Sequence, residues 1–158
     1  MRVVSGIEVT TVSTTAQFPV GEKFMVSQPA SDLPPAIWMY VKADSTLAIG
    51  DVCSWVASAT GTAYVIPAPY DAAVGLQSTA NIAGVAQHVI ASGSYGFIQI
   101  GGVGEVKTAG SVAVNTCLAY PDTAVGVAET NATEGFATFG IVLVAEATPQ
   151  KSLITLAR

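Results

Sequence analysis

The amino-acid sequence predicts an all-β fold, a duplicated β unit forming a small barrel or sandwich with an extended N-terminal arm. Val, Ile and Thr together number 47 and Leu only 7. β-Branched side chains fit pleated, half-buried surfaces, and a helical protein would reverse that ratio. Fifteen glycines and eight prolines interrupt the chain at short intervals, leaving segments too short for helices and about right for strands. One segment also recurs along the chain, as duplication requires.

From the N-terminus, the expected strands are Ile7–Val12, Phe24–Gln28, Trp38–Ala43, Val52–Ala57, Ala63–Ile66, Ile82–Ile90, Gly96–Ile100, Glu105–Thr108, Cys117–Tyr120, Phe139–Ala145 and Ser152–Ala157. Ile7 and Val9 alternate with Glu8 and Thr10, the period of a sheet with one wet face. The runs Phe97–Ile100 and Leu153–Leu156 each hold one polar residue, which suits a strand covered on both sides. The Ala-rich stretch Thr79–Ala86 could host one short helix. Gly101–Gly104 reads as a tight hairpin between Ile100 and Glu105. It lacks the Lys and Ser/Thr of a phosphate-binding loop, and no helical pattern follows it.

Gly84–Ile100 lies without gaps over Gly140–Leu156, an offset of 56. Gly84 meets Gly140, Ala91 meets Ala147, Ser92 meets Thr148, Ile98 meets Ile154 and Ile100 meets Leu156. Upstream of each copy lies a Cys-bearing strand, Gly50–Val56 and Val114–Tyr120, offset by 64. The β domain is therefore expected over residues 36–158, with the repeat at about 48–104 and 112–158. Residues 1–35 stand outside it. Their Ser/Thr-rich stretch from Thr10 to Thr15 and the Ser31–Pro35 break point to an extended arm and linker; a plain edge strand on the same domain is the alternative.

Half the residues are hydrophobic (51%) and 11% are charged, against roughly 25% charged in an ordinary soluble domain. Disorder is excluded, because it needs low hydrophobicity and high net charge. No stretch approaches the roughly 20 apolar residues that span a bilayer; clean runs such as Ile141–Ala145 and Ala36–Val41 are short. Nor does the N-terminus resemble a signal peptide, since Ser5, Gly6 and Glu8 follow close behind Arg2. The expectation is a soluble chain with no membrane partner, whose surplus apolar surface is covered by other subunits. Net charge is −5, and the six basic residues Arg2, Lys23, Lys42, Lys107, Lys151 and Arg158 are dispersed. Nucleic-acid binding, which needs clustered Lys and Arg, is not expected.

Catalysis needs positioned nucleophiles, bases or metals, and the sequence is poor in them. His88 is the one histidine. Cys53 and Cys117 sit among apolar or small residues and read as buried free thiols; a disulfide would need an oxidising compartment. Two Cys and one His scattered over the chain fall short of a zinc set, and no EF-hand loop offers a calcium cage. The carboxylates Asp51, Asp71, Asp122 and Glu134 adjoin Gly, Pro, Ser or Thr, as in turns. Asn131–Thr133 matches a glycosylation triplet, which carries meaning only in a secreted chain. Trp38, Tyr40, Trp55, Tyr64 and Tyr70 cluster in the first half, as core or interface anchors or as a sugar-stacking platform. No catalytic, cofactor-binding or metal residue is assigned, no cofactor is expected, and the protein is expected not to be an enzyme.

Three motifs carry a likeness to a known family: Ile49-Gly-Asp-Val52, Ala83-Gly-Val-Ala86, and Phe97–Val103 followed by Glu105-Val-Lys107. Phe139–Glu146 and Leu153–Leu156 close the second copy in the same manner. From Ala48 to Arg158 the chain resembles the small β-rich virion proteins that decorate, or cement, tailed-phage capsids. The resemblance implies barrel or sandwich subunits, commonly trimeric, seated between major capsid proteins on the capsid surface after synthesis in the host cytoplasm. It implies no catalytic residues. The long loop Ala57–Thr79 and the N-terminal arm depart from the family pattern. The expected function is to bind the outside of an assembled capsid and stabilise it by bridging major capsid subunits, as a homo-oligomer. The alternatives are another virion component (head fibre, tail or minor capsid protein) or a carbohydrate-binding β module.

Overall fold

The computed structural model describes residues 2–3, 7–27, 35–57, 63–67, 82–110, 112–119, 124–130, 138–144 and 150–155. Among them there is no helix. The described residues form eleven strands in one branched sheet: β1 (Arg2–Val3), β2 (Lys23–Val26), β3 (Ala36–Lys42), β4 (Val52–Ala57), β5 (Ala63–Pro67), β6 (Ile82–Ala86), β7 (Tyr95–Val106), β8 (Cys117–Ala119), β9 (Glu129–Thr130), β10 (Thr138–Val144) and β11 (Gln150–Thr155).

The branch point is β7. Its first half pairs antiparallel with β3, from Lys42↔Tyr95 to Ile37↔Gly101. On the opposite edge it pairs first with β6, at Val85↔Gln99 and Ala86↔Ile98, and then with β11 from Gly101 to Val106. Two rings of strands result. The first runs β3-β7-β6-β4-β5 and returns to the end of β3 through one parallel bridge, Ala43↔Val65. The second runs β7-β11-β10-β8-β9 and returns to the end of β7 through one parallel bridge, Thr108↔Ala128. Neither is a closed barrel, because each seam carries a single bridge rather than a ladder.

The rings are two copies of one unit, and they agree down to individual hydrogen bonds. In the first, Gly50 N donates to Ala86 O, Ala86 N to Asp51 O, and Asp51 N to Ala48 O. In the second, Asn115 N donates to Val142 O, Val142 N to Thr116 O, and Thr116 N to Ala113 O. The duplication starts earlier than the 48 and 112 read from sequence. Val41-Lys42 at the end of β3 corresponds to Val106-Lys107 at the end of β7. β7 therefore serves twice, closing the first unit and opening the second.

Packing follows from strand alternation. The first core fills the first ring with Met39, Val41, Leu47, Cys53, Val65, Ile90, Ile98 and Ile100, with Trp55 packed against it. The second core holds Val106, Val112, Leu118, Phe139, Val142 and Ile154 from the second unit, but also Val52, Ile82 and Val85 from the first. A bulge makes this sharing possible. Cys53 faces Gly84 and Ser54 faces Ile82, so Ala83 is an extra residue, and β6 can send Ala83 and Ala86 inward and Ile82 and Val85 outward. The second unit thus packs its interior against the first unit's outer face.

A third core covers the outer face of β3 and β7. Phe24, Trp38, Tyr40 and Phe97 are buried there, with Ile7, Val9, Phe18 and Tyr95 packed against them. Phe18 meets Phe24 and Tyr40 edge-on at 5.0 and 5.2 Å, the favoured geometry for aromatic pairs. The segment expected to be an arm is joined to the sheet here: β2 pairs antiparallel with β3 from Lys23↔Met39 to Val26↔Ala36, and Phe24 is fully buried.

Four sequence expectations are corrected. Gly101–Gly104 is not a hairpin but the middle of the continuous β7. Gly102 takes a φ of +92°, and a Cβ on Gly104 would strike the side chains of Gln99 and Gln87. These glycines let one strand change direction between two units instead of turning back. The strand expected at Ile7–Val12 is absent: Thr11 N donates to Glu8 O in a turn, and the segment is held by apolar contacts. β6 stops at Ala86 rather than Ile90, where the side chain of Gln87 takes over. Its Oε1 accepts from Glu105 N at 2.8 Å and its Nε2 donates to Glu105 O at 2.9 Å, continuing the ladder without a backbone. The Ala-rich stretch suited to a helix contributes its described part, Ile82–Ala86, to a strand.

Candidate functional site

The two units are tied by an ion pair. Asp51 lies in the turn before β4 and is nearly buried, 6% exposed. Its Oδ2 accepts from Ala48 N at 2.7 Å, and its Oδ1 accepts from Lys107 Nζ at 2.6 Å. Lys107 N also donates to Gly50 O, and Val52 N to Gly126 O. The corresponding lysine of the first unit, Lys42, has another use: its Nζ sits 5.1 Å above the Tyr64 ring and 5.3 Å above that of Tyr95, at cation–π distance. This joint was not read from sequence, although the matching Val-Lys pairs were a visible signal for it.

Cys53 is fully buried in the first core. Its thiol donates to Asp51 O at 3.3 Å. Burial, reinforced by the Asp51 carboxylate, pushes the thiol well above its ordinary pKa, so it is held protonated and is a poor nucleophile. Cys117 is free and half-buried on β8. His88 follows β6, half-buried, with both ring nitrogens enclosed and without hydrogen-bond partners among the described residues. Burial lowers its pKa. Among the described residues, no three His, Cys, Asp or Glu side chains gather as metal ligands would, and no helix is long and apolar enough to cross a membrane.

Of the aromatic residues weighed for sugar stacking, Trp38 and Tyr40 are buried in the third core and Trp55 is packed against the first. They anchor packing rather than offering a flat exposed face. Tyr70, Asp71, Asp122, Glu134 and the Asn131–Thr133 triplet lie outside the described residues. A cleft of about 510 Å³ remains between the N-terminal segment and the β3–β7 face, lined by Glu8, Gln17, Phe18 and Tyr40 among others. The Tyr40 hydroxyl accepts from Gln17 N at 3.0 Å.

The remaining candidate is a surface. Ile141, Leu143 and Val144 on β10 are 38–42% exposed, and Val114 on the adjoining turn is 47% exposed. Asn115 N donates to Val142 O, which holds that turn beside β10. Such an arrangement suits contact with another protein surface, not bond-making chemistry.

No protein-family model matches the chain, and no curated protein matches it. Among solved structures, it is similar to the N base of the head fibre protein gp8.5 of bacteriophage phi29. The TM-score is 0.53 at 11% identity, covering 76% of this chain and 93% of that one. At that identity the likeness is one of fold.

Proposed function

We propose that this chain is a structural component of a phage virion that works by binding other protein subunits, without catalysis. The observation that carries the reading is the fold likeness to a head-fibre base. The composition supports it independently: a chain with 51% hydrophobic and 11% charged residues is suited to having part of its surface covered in an assembly. The finer reading is a cement protein that, as a homo-oligomer, bridges major capsid subunits on the outside of the shell. Its mechanism is mass action. A partner that binds only the assembled lattice stabilises it by about 2.7 kcal/mol per site at a hundredfold excess over Kd.

The structural neighbour favours a second reading within the same class, the base of a head fibre. Both readings place the chain on the capsid surface and need no cofactor. The test is co-sedimentation of the purified chain with capsids of its own phage, followed by electron microscopy of the decorated particles. Regular density at lattice junctions supports the cement reading, and density at the root of a projecting fibre supports the fibre reading. Failure to bind any virion part overturns both.

A further inference from the structure

We infer that the outer face of β10, made by Ile141, Leu143 and Val144 with Val114 beside it, is where a second copy of this chain docks. The argument rests on the duplication. The β10 positions correspond in the first unit to Val85, Gln87 and His88, where the structure shows what they meet; Ile49, the counterpart of Val114, is 41% exposed, so the contrast rests on the three strand positions. Val85 is fully buried, because the second unit packs its core against that face. Gln87 is spent on the backbone of Glu105, and His88 is half-buried. In the second unit nothing described takes the equivalent place. Ile141, Leu143 and Val144 are 38%, 39% and 42% exposed.

Side-chain chemistry runs opposite to exposure. Where the face is covered within the chain the residues are Val, Gln and His; where it is open they are Ile, Leu and Val. A face meant for water would show the reverse. The backbone adds to the display. Val142 pairs with Ser152 and Val144 with Lys151, so Leu143 is an extra residue in a bulge, and Leu143 and Val144 both face solvent. None of the four residues is charged, so another apolar face can meet them without stranding an ion. The cover already seen on this kind of face is another unit of the same fold, and a second copy of the chain supplies one.

The inference rests on the self-association part of the functional reading and not on its capsid part. It is tested with the full chain by light scattering at micromolar concentration. The wild type is expected at a multiple of 16.0 kDa. The double variant Ile141→Asp/Leu143→Lys is expected at one chain mass, with an unchanged far-ultraviolet circular dichroism spectrum. The milder Leu143→Ser is expected to weaken association at least tenfold, and Val89→Asp, an equally polar change at an exposed site of the first unit, to leave it intact. A monomeric wild type overturns both self-association and this face. A wild-type mass for the folded double variant overturns the face alone. Should the double variant not fold, an unchanged association constant for Leu143→Ser overturns it.

Discussion

Gly50 and Asn115 occupy the same position in the two units, and both have a left-handed backbone, with φ of 81° and 66°. Each donates its N–H to the partner of the strand it leads into, Gly50 to Ala86 O on β6 and Asn115 to Val142 O on β10. The turn needs that conformation to bring the chain back onto β6 or β10, and only Gly and Asn adopt it at low cost.

Asn115→Gly is therefore expected to leave stability within a few tenths of a kcal/mol, whereas Asn115→Val should cost about 1–2 kcal/mol. Gly50→Val should cost at least as much. Urea denaturation of the three variants checks the order, and equal midpoints for Asn115→Gly and Asn115→Val would show that the turn does not constrain this residue.

The Asp51–Lys107 pair should show coupling. Lys107→Met strands a nearly buried carboxylate, which retains Ala48 N as a donor, at an expected cost of about 1–3 kcal/mol. Asp51→Asn costs a similar amount but leaves Lys107, whose side chain is 33% exposed, able to reach water. The double variant is expected to lose less than the sum of the singles. Strict additivity in a double-mutant cycle would mean that the pair does not join the units energetically.

Removing residues 1–35 should do more than detach an arm. Sequence alone expects the remaining β domain to fold, yet Phe24 is fully buried against Tyr40 and Phe97. Truncation uncovers those rings, and each large side chain returned to water forfeits about 1.5–3 kcal/mol. A chain beginning at Ala36 is expected to lose its cooperative melt, and Phe24→Ala in the full chain to be destabilised by about 3–5 kcal/mol. A soluble, cooperatively melting truncation would restore the picture of a separable arm.

His88 gives stability a pH dependence of known sign. Its folded pKa lies below the ordinary value because burial disfavours the charged ring. The unfolded chain therefore binds the proton more readily. Stability contributed by neutral His88 is present above about pH 6.5 and is lost as the pH falls through the unfolded value, with a slope of at most about 1.4 kcal/mol per pH unit. His88→Gln should flatten that slope between pH 7 and 5. An identical pH profile for wild type and variant would show that the ring is hydrated in solution.

Strand content, the recurrence of one segment and the surplus of apolar over charged residues were all legible in the amino-acid sequence. Each of these is local or compositional. β-Branched residues set backbone preference, and both copies of a repeat keep the residues their fold needs, such as Gly84 and Gly140. Where the copies begin came from the strand pairing. The offset is 65 from Val41 and Val106 through the paired strands, where Val52 and Cys117 lie opposite Val85 and Ile141, and it drops to 56 at Gly84 and Gly140. The loop change hides the full unit from a gapless comparison, and the two cysteines, 64 apart, are not equivalent: Leu118 takes the place of Cys53. Strand pairing also decided that Gly101–Gly104 continues β7, because a glycine run serves a turn and a bend equally well until β11 is seen hydrogen-bonded across it. Which apolar residues stay uncovered was likewise beyond the sequence. Val85 and Ile141 sit on equivalent strands with similar side chains, and they differ only in that the second unit packs against one of them.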